Sequence, residues 1–200
     1  MQQIDKIMRD AETCPALISG FQNMLKDCRQ GRLAVEIGTY AGQTLEMLYN
    51  SRLFDKIIAI DPYIDAYDVT DTLSMQFPMR DVRMRFYRRL LTFDNVVHLN
   101  LASDEASQLF DNNTIDFLYI DGDHRYAGVC ADIRNFLPKM RNLSIIAGHD
   151  YLPEACDAQS PVFEGVRRAV DELLGGPDLL YEDSSWLKYL GYRPNACPGQ

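Results

Sequence analysis

The stretch IDFLYIDGDHRYAGVCADIRNFLPKM, residues 115–140, joins a strand-like segment to a helix-like one. Its first part is a short apolar run rich in aromatic and β-branched residues, which is typical of a strand. Its second part repeats apolar residues at helical spacing, namely Val129, Ile133, Phe136 and Met140. Two aspartates and a histidine lie between the two parts. Carboxylates at the end of a buried strand are costly when unpaired, so they either emerge into a ligand-binding crevice or belong to an ordinary loop.

The same alternation of strand and helix recurs along the chain. Four other apolar runs have strand length: LAVEIG at 33–38, KIIAID at 56–61, VVHLNL at 96–101 and LSIIAG at 143–148. Helical patterns separate them, and the strands are continuously apolar rather than alternating. Together these features predict an α/β fold with a Rossmann-like, doubly wound, mostly parallel sheet covered on both faces. Such sheets bind ligands outside the carboxyl ends of their strands.

Length and composition limit the kind of protein. Two hundred residues suit one domain, and the composition, 46% hydrophobic and 24% charged, is that of a soluble globular protein. No apolar run approaches membrane-spanning length, and the N-terminus does not resemble a signal peptide. The five cysteines form no CxxC pair and fit free thiols in a reducing cytosol. The net charge of −9 argues against a nucleic-acid partner, so we expect a cytoplasmic protein with neither a nucleic-acid nor a membrane partner, and a homodimer is left open.

The chain is expected to form a single domain, residues 1–200, with four parts. These are an N-terminal helical arm at 1–30, a cofactor-binding core at 33–174, C-terminal edge strands at 179–192 and a tail at 193–200. The variable parts that would shape a substrate site are the N-terminal helix and the loops at 62–80 and 151–163.

The motif EIGTYAG, residues 36–42, follows the first strand and leads into a helix. Gly38 permits a tight turn and close approach of a ligand, so valine there should block binding without unfolding the domain. Gly42 lets the helix begin near the strand. The pattern lacks the middle glycine of a dinucleotide-binding turn, and Glu36 suits a ligand with a cationic end. A helix-starting turn without a ligand is the alternative.

Two later strand ends carry residues that can contact the rest of a nucleoside. Asp61 ends the second strand, where an acid can accept both hydroxyls of a ribose. The third strand runs into ASDEA, residues 102–106, where Ser103 and Asp104 can hydrogen-bond the edge of a base. The same Ser-Asp pair is also typical of a helix N-cap, and the two interpretations are compatible.

Five motifs resemble, in order and spacing, those of class I S-adenosylmethionine-dependent methyltransferases: EIGTYAGQT, IIAIDPY, LASDEA, IDFLYIDGDHRYAGVCADIRNFLPKM and IIAGHDY. The chain is most similar to the methyltransferase-24 type, which includes small-molecule and sugar O-methyltransferases. The resemblance covers residues from about 33 to 174. It implies a seven-stranded sheet with an antiparallel last strand and S-adenosyl-L-methionine as cofactor.

The resemblance also assigns residues to parts of the cofactor. It implies that the methionine end lies near Glu36 and Gly38, that Asp61 binds the ribose, and that the adenine lies near the start of the ASDEA segment. The predicted cofactor-binding set is Glu36, Gly38, Thr39, Tyr40, Gly42, Asp61, Ser103, Asp104 and Asp121. The chain departs from the family before the fifth strand, where RNLSIIAG replaces the usual glycine pair. Asn142 tolerates a left-handed conformation, so we expect the turn to survive there.

Five titratable residues lie at the ends of the fourth and fifth strands: Asp121, Asp123, His124, His149 and Asp150. In a doubly wound sheet both ends lie beside the first strand, where an acceptor would meet the methyl group. Convergence of five such groups favours a catalytic site over an ordinary loop. A sugar hydroxyl is a weak acid, so a cation that lowers its pKa and a nearby base that takes its proton would both assist methyl transfer.

Related metal-dependent O-methyltransferases hold a divalent cation with one acid from the fourth strand end and two neighbouring groups from the fifth. Carried over by position, the resemblance implies Asp121, His149 and Asp150 as ligands of Mg or Mn, with Asp123 or His124 as general base. An imidazole at position 149 suits Mn, Fe, Co, Ni or Zn better than Mg. Alternatively, His149 is the base and no metal binds.

The sequence therefore predicts an S-adenosylmethionine-dependent O-methyltransferase, with or without a divalent cation, acting on a hydroxyl of a small molecule or glycosyl unit. Other functions are weighed against it. An NAD-dependent oxidoreductase of similar fold is disfavoured by the missing middle glycine. A metal-dependent hydrolase that uses the Asp/His cluster would leave EIGTYAG and Asp61 without a purpose. A non-catalytic subunit is disfavoured by the intact acid–base cluster.

Overall fold

A computed structural model describes residues 15–67, 77–152 and 164–191 of the chain. The predictions that concern residues 1–14, 68–76, 153–163 and 192–200 lie outside these ranges, and they include parts of the N-terminal arm, of both variable loops and of the tail. Within the described ranges, Cys28 and Cys130 are free thiols, as expected. No helix there is both long enough and apolar enough to span a bilayer. The cytoplasmic location and the homodimer stay predictions.

Seven strands form the described sheet: β1 (Gly31–Ile37), β2 (Phe54–Ile60), β3 (Val96–Leu99), β4 (Ile115–Ile120), β5 (Met140–Gly148), β6 (Leu179–Leu180) and β7 (Trp186–Tyr189). The described helices are α1 (Pro15–Asp27), α2 (Gln43–Ser51), α3 (Met79–Leu90), α4 (Ser103–Ser107), α5 (Tyr126–Phe136), which a 3-10 turn (Leu137–Lys139) continues, and α6 (Glu164–Leu174).

The strands pair in the order β3-β2-β1-β4-β5-β7-β6. The first five are parallel to one another, β7 runs antiparallel to β5, and β6 runs antiparallel to β7. This arrangement confirms the predicted Rossmann-like sheet with seven strands and an antiparallel C-terminal edge.

Both faces of the sheet are buried, which explains why the central strands are apolar throughout. Helices α1, α2 and α3 cover one face, and the core there includes Phe21, Leu45, Phe86, Phe117 and Tyr119. Helices α5 and α6 cover the other, with Leu118, Val129, Ile133, Ile146 and Val170. Successive residues of β4 therefore alternate between two cores, since strand side chains point to opposite faces.

Strand β5 differs from the sequence-based expectation. It begins at Met140 rather than at residue 143, and no separate turn forms at Asn142. The left-handed residue is Leu143, with φ of 65° and a side chain 55% exposed. Between the pairs Ile115–Met140 and Phe117–Ile145, one residue of β4 faces four of β5, so the extra residues form a bulge that carries the unusual conformation. The expected turn at Asn142 was therefore wrong.

The backbone ladder continues one residue beyond the parallel strands. The N–H groups of Gly38, Asp121 and His149 donate to the last carbonyls of β2, β1 and β4, at 2.9, 2.9 and 3.1 Å. The residues that follow β1, β4 and β5 are thus held side by side at the carboxyl edge of the sheet. This edge is where the motifs of the sequence converge.

Candidate functional site

Gly38 lies where the ends of β1 and β4 meet. Its φ is +84°, and a Cβ added to it would lie 1.9 Å from the Asp121 carbonyl oxygen and 2.6 Å from the Cα of Gly122. Backbone atoms cannot yield as the end of a flexible side chain can. Close packing of the backbone therefore requires glycine at position 38, in addition to the ligand approach expected from the sequence.

Asp61 joins the two loops that follow β1 and β2. The backbone N–H groups of Tyr40 and Tyr63 donate to its carboxylate oxygens at 2.9 and 2.8 Å, and the Tyr63 hydroxyl donates to the Tyr40 carbonyl at 2.6 Å. Burial raises the pKa of Asp61 to about 6, although the backbone hydrogen bonds oppose this rise. An ionised carboxylate has about four acceptor positions. Asp61 can therefore hold these loops and still accept ribose hydroxyls.

Glu36 is fully buried on β1, on the face that α2 covers. The Thr44 hydroxyl donates to its Oε1, while Oε2 has no hydrogen-bond partner among the described residues. The same holds for the buried Oγ1 of Thr39 in the adjacent loop. Buried polar atoms without partners are uncommon in folded proteins and indicate a missing water or ligand group. Both atoms belong to the segment for which the sequence analysis predicts contact with the methionine end of the cofactor.

An open cleft of about 490 Å³ lies between the loops after β2 and β3, a size within the usual range of ligand sites. Its lining comprises Pro62, Ile64, Tyr67, Asn100, Leu101, Ala102, Asp104 and Glu105. Asp104, for which the sequence analysis predicts a contact with the adenine, therefore faces this cleft. Ser103 does not line the cleft, because its hydroxyl donates to Asp132 of α5. Only one of the two predicted base-contacting side chains faces this space.

Three buried acids give the ligand-free protein an expected pH dependence. Burial raises the pKa of Glu36 to about 8, that of Asp61 to about 6 and that of Asp132 to about 7. The unfolded chain releases these protons at lower pH than the folded chain does, so rising pH progressively favours unfolding between about pH 4 and 8. We expect the melting temperature to fall by several degrees between pH 5.5 and 8, since about 1 kcal/mol corresponds to roughly 2–4 °C at this chain length.

Glu36→Gln tests this prediction because glutamine cannot ionise. The variant should show a smaller fall in melting temperature over the same pH interval, measured by differential scanning calorimetry. Identical pH dependence in the variant and the wild type would contradict the assignment of Glu36 as a buried acid that is protonated in the folded state.

The acid–base cluster forms at the ends of β4 and β5. Nε2 of His124 lies 3.6 Å from Oδ1 of Asp121 and 3.1 Å from Oδ2 of Asp150. Nδ1 of His149 lies 3.1 Å from the other carboxylate oxygen of Asp150. Asp150 therefore stands between two imidazoles. His124 is only 8% exposed, whereas the Asp121 side chain is 26% exposed, so the cluster is partly accessible to solvent.

The acids and histidines of the cluster shift one another's pKa values. Burial alone would raise the pKa of Asp150, but the imidazoles of His124 and His149 beside it hold this pKa well below its usual range. Burial lowers the pKa of His149, but its hydrogen bond to Asp150 and the charges of Asp121 and Asp150 outweigh burial and raise this pKa to about 9. In the ligand-free protein His149 is therefore the counter-charge of Asp150.

The structure brings together four of the five predicted acid–base residues but not Asp123. The Arg125 guanidinium binds both oxygens of Asp123, at 2.8 and 2.6 Å, and the Arg125 backbone N–H adds a bond of 2.9 Å. A Cβ on Gly128 would lie 2.3 Å from Cγ of Asp123, so this carboxylate is folded over the first turn of α5. It points to its own helix rather than to the histidines.

The group that could hold a metal also differs in one member from the predicted set. Ligand atoms of Asp121, His124 and Asp150 lie within 4.8 Å of one another, so His124 takes the place assigned to His149. Two carboxylates and an imidazole form a donor set suited to a divalent transition metal. The predicted roles of these residues in metal binding and in proton transfer stay predictions.

Two supporting residues were missed in the sequence. Trp186 of β7 donates from Nε1 to the His149 carbonyl at 3.2 Å, and its ring packs where a Cβ on Gly148 would lie. Asp132 lies three residues after Val129, on the apolar face of α5. An acid on such a face was a usable signal, because residues three apart share one side of a helix. No local signal pointed to Trp186, which reaches the site through strand pairing.

The family profile of a methyltransferase domain matches residues 35–151, which is more than half of the chain. The chain belongs to the methyltransferase-domain family. The matched segment runs from β1 to the end of β5 and so contains the whole carboxyl edge described above. This match confirms the resemblance to class I methyltransferases but not to their small-molecule branch, and the protein is an S-adenosylmethionine-dependent methyltransferase. The match favours neither the oxidoreductase nor the hydrolase.

Several known proteins resemble this methyltransferase. An uncharacterized protein of Acanthamoeba polyphaga mimivirus is 27% identical over 165 residues, covering 80% of this chain and 67% of the relative. A SAM-dependent methyltransferase from Aquifex aeolicus has a TM-score of 0.57 at 14% identity, over 92% of this chain and 96% of that one. A SAH-bound Podospora anserina methyltransferase has a TM-score of 0.54 at 11% identity, over 94% and 95% of the two chains. At such identities, the structural likeness shows the fold.

Proposed function

We propose that this methyltransferase methylates a hydroxyl oxygen of a small molecule or glycosyl unit, with the help of a divalent cation. The observation that carries the proposal is the convergence of Asp121, His124 and Asp150, whose ligand atoms lie within 4.8 Å of one another. These residues follow β4 and β5, beside the Gly38 turn where the reactive end of the cofactor is expected. A cation bound there would lower the pKa of the acceptor hydroxyl and orient its oxygen.

His149 is the residue that we assign to proton removal. Its Nδ1 is held by Asp150 at 3.1 Å, which fixes the ring and leaves Nε2 as the nitrogen that takes the proton. The imidazole must be neutral to do so. Neutralisation of Asp121 and Asp150 would remove the charges that hold its pKa at about 9. In the absence of a cation, His124 is the alternative base.

On the donor side, we propose that the methionine end binds at Glu36 and Thr39, and the buried polar atoms of these residues that lack described partners support this. Asp61 would accept the ribose hydroxyls, and the cleft that contains Asp104 would receive the adenine. When bound, S-adenosylmethionine supplies an electrophilic methyl group. The protein's part is to hold donor and acceptor in line, and positioning of this kind can supply much of the rate enhancement.

A chelator experiment tests the cation. Protein saturated with S-adenosylhomocysteine is expected to bind one Mn²⁺ per chain by calorimetry. EDTA should abolish transfer of labelled methyl groups to a panel of phenols, catechols and sugars, and Mn²⁺ should restore it better than Mg²⁺. Affinity for S-adenosylhomocysteine should change little, because the cation serves the acceptor.

Two outcomes would change the proposal in different ways. If methyl transfer resists EDTA and slows as the pH falls, the proposed cation is wrong and an imidazole base remains. If methyl groups are transferred to amines or thiols in matched acceptor panels and none to hydroxyls, the O-methyltransferase assignment is wrong. The methyltransferase family would be unaffected in either case.

A further inference from the structure

A buried carboxylate that the mechanism does not use lies next to the cleft at the ends of β2 and β3. Asp132 of α5 is only 3% exposed, and the Ser103 hydroxyl donates to its Oδ1. Its neighbours on the helix, Val129 and Ile133, belong to the hydrophobic core. A carboxylate in such surroundings is costly. Its single described side-chain hydrogen bond leads directly to the start of α4.

Helix α4 is held by this hydrogen bond together with the core packing of Ala106. It has only five residues, and its N-cap, Ala102, provides no side-chain hydrogen bond. Helices this short are not stable alone, so their placement depends on tertiary contacts. Ser103 is the first residue of α4, and both residues beside it, Ala102 and Asp104, line the cleft. The bond to Asp132 therefore anchors the turn from which the cleft is built.

The cleft lies in an acidic environment. Burial raises the pKa of Tyr67, and the charges of Asp123, Asp132 and Asp104 raise it further. Tyr67 and Asp104 are both lining residues. Carboxylates around a base-sized cleft favour a ligand edge that donates hydrogen bonds, which the exocyclic amine of adenine does.

We propose that Asp132 is a positioning residue for recognition of the adenine amine: by holding Ser103, it fixes the start of α4 and thereby the orientation of Asp104 along the cleft. The Ser103 side chain is then part of the support rather than a contact to the base. The inference rests on the proposed placement of the adenine in this cleft, and it does not depend on the acceptor or on a cation.

Calorimetry with two ligands tests this role. S-adenosylhomocysteine carries the amine, and S-inosylhomocysteine replaces it with a carbonyl. The wild type is expected to prefer the adenosyl ligand by about tenfold or more, since the inosyl ligand leaves the Asp104 carboxylate facing an acceptor. In Asp132→Ala and Ser103→Ala this preference should shrink to about threefold or less. Asp132→Asn should keep most of it, because its amide oxygen can still accept from Ser103.

Asp116→Asn is the matched control. The Asp116 carboxylate also supports a neighbouring element, accepting the N–H groups of Arg32 and Leu33 at 2.8 and 3.0 Å, but at the opposite end of the sheet. This variant should lower the melting temperature and leave the ligand preference unchanged. It therefore separates a loss of stability from a loss of positioning.

Equal weakening of both ligands in Asp132→Ala and Ser103→Ala would overturn the proposal, because it would mean that Asp132 only stabilises the fold. If these variants keep the wild-type preference for the adenosyl ligand over the inosyl ligand, the proposal is overturned as well. If Asp132→Ala does not fold, Ser103→Ala and Asp132→Asn decide the question by the same ratio of affinities.

Discussion

Replacement of Asp150 by asparagine is expected to lower methyl transfer by about 10²–10⁴-fold, the usual effect of losing general acid–base assistance. Asp150 is the residue that contacts both His124 and His149, at 3.1 Å each. Its φ is 61°, a left-handed conformation that asparagine tolerates, so the substitution removes charge without adding backbone strain. Steady-state kinetics with an acceptor from the panel and calorimetry with Mn²⁺ measure the effect.

Asp171→Asn provides the matched control for this prediction. Asp171 accepts a hydrogen bond from the Tyr151 hydroxyl at 2.8 Å and is exposed on α6, so it undergoes the same chemical change close to the cluster but outside it. Its turnover should match that of the wild type. Wild-type turnover in Asp150→Asn would show that the cluster has no part in catalysis. A parallel loss of S-adenosylhomocysteine affinity would instead place Asp150 in the donor site.

Replacement of Gly38 by valine is expected to destabilise the whole domain by about 3 kcal/mol or more, roughly 6–12 °C in melting temperature. The Cβ would lie 1.9 Å from the Asp121 carbonyl oxygen, so the ends of β1 and β4 would be forced apart. This outcome differs from the one expected from the sequence, in which ligand binding is lost and the fold is kept. Thermal unfolding and calorimetry with S-adenosylhomocysteine distinguish the two.

Gly175→Val separates backbone strain from steric overlap. Gly175 has φ of +71°, and no atom lies within 4 Å of a Cβ added there. The cost should be about 1–2 kcal/mol, that of the left-handed conformation alone. If both valine variants lose the same stability, the overlap at Gly38 is relieved by a shift of the chain. A stable Gly38→Val that fails to bind the cofactor would restore the sequence-based explanation.

The sequence by itself determined the sheet and the edge that carries the site. Continuous apolar runs require burial on both faces, which only a parallel sheet between two layers of helices provides. The carboxyl ends of parallel strands lie at one edge, so Glu36, Asp61 and Asp121 could be placed together from their positions at strand ends. Only spacing within each segment and a general rule of topology were needed.

Only the tertiary structure decided which partner each polar side chain takes. Ser103 donates to Asp132 rather than facing the cleft, and Asp123 binds Arg125 rather than joining the histidines. His124 rather than His149 completes the group with Asp121 and Asp150. Periodicity specifies the face on which a residue lies, but several acceptors compete for each donor on that face. The acceptor that is chosen depends on how the folded chain arranges the competing groups, as when Ser103 meets Asp132, 29 residues away in sequence.

The bulge in β5 has the same origin. Asn142 was the local candidate for a left-handed residue, yet Leu143 adopts that conformation. The pairing of β5 with β4 requires the extra residues to leave the ladder between Met140 and Ile145, and this register determines which residue takes the unusual φ. Intrinsic preference is worth about 1 kcal/mol, whereas the register of a buried strand fixes the burial of all its side chains at once. The stronger, non-local constraint prevails over the local one.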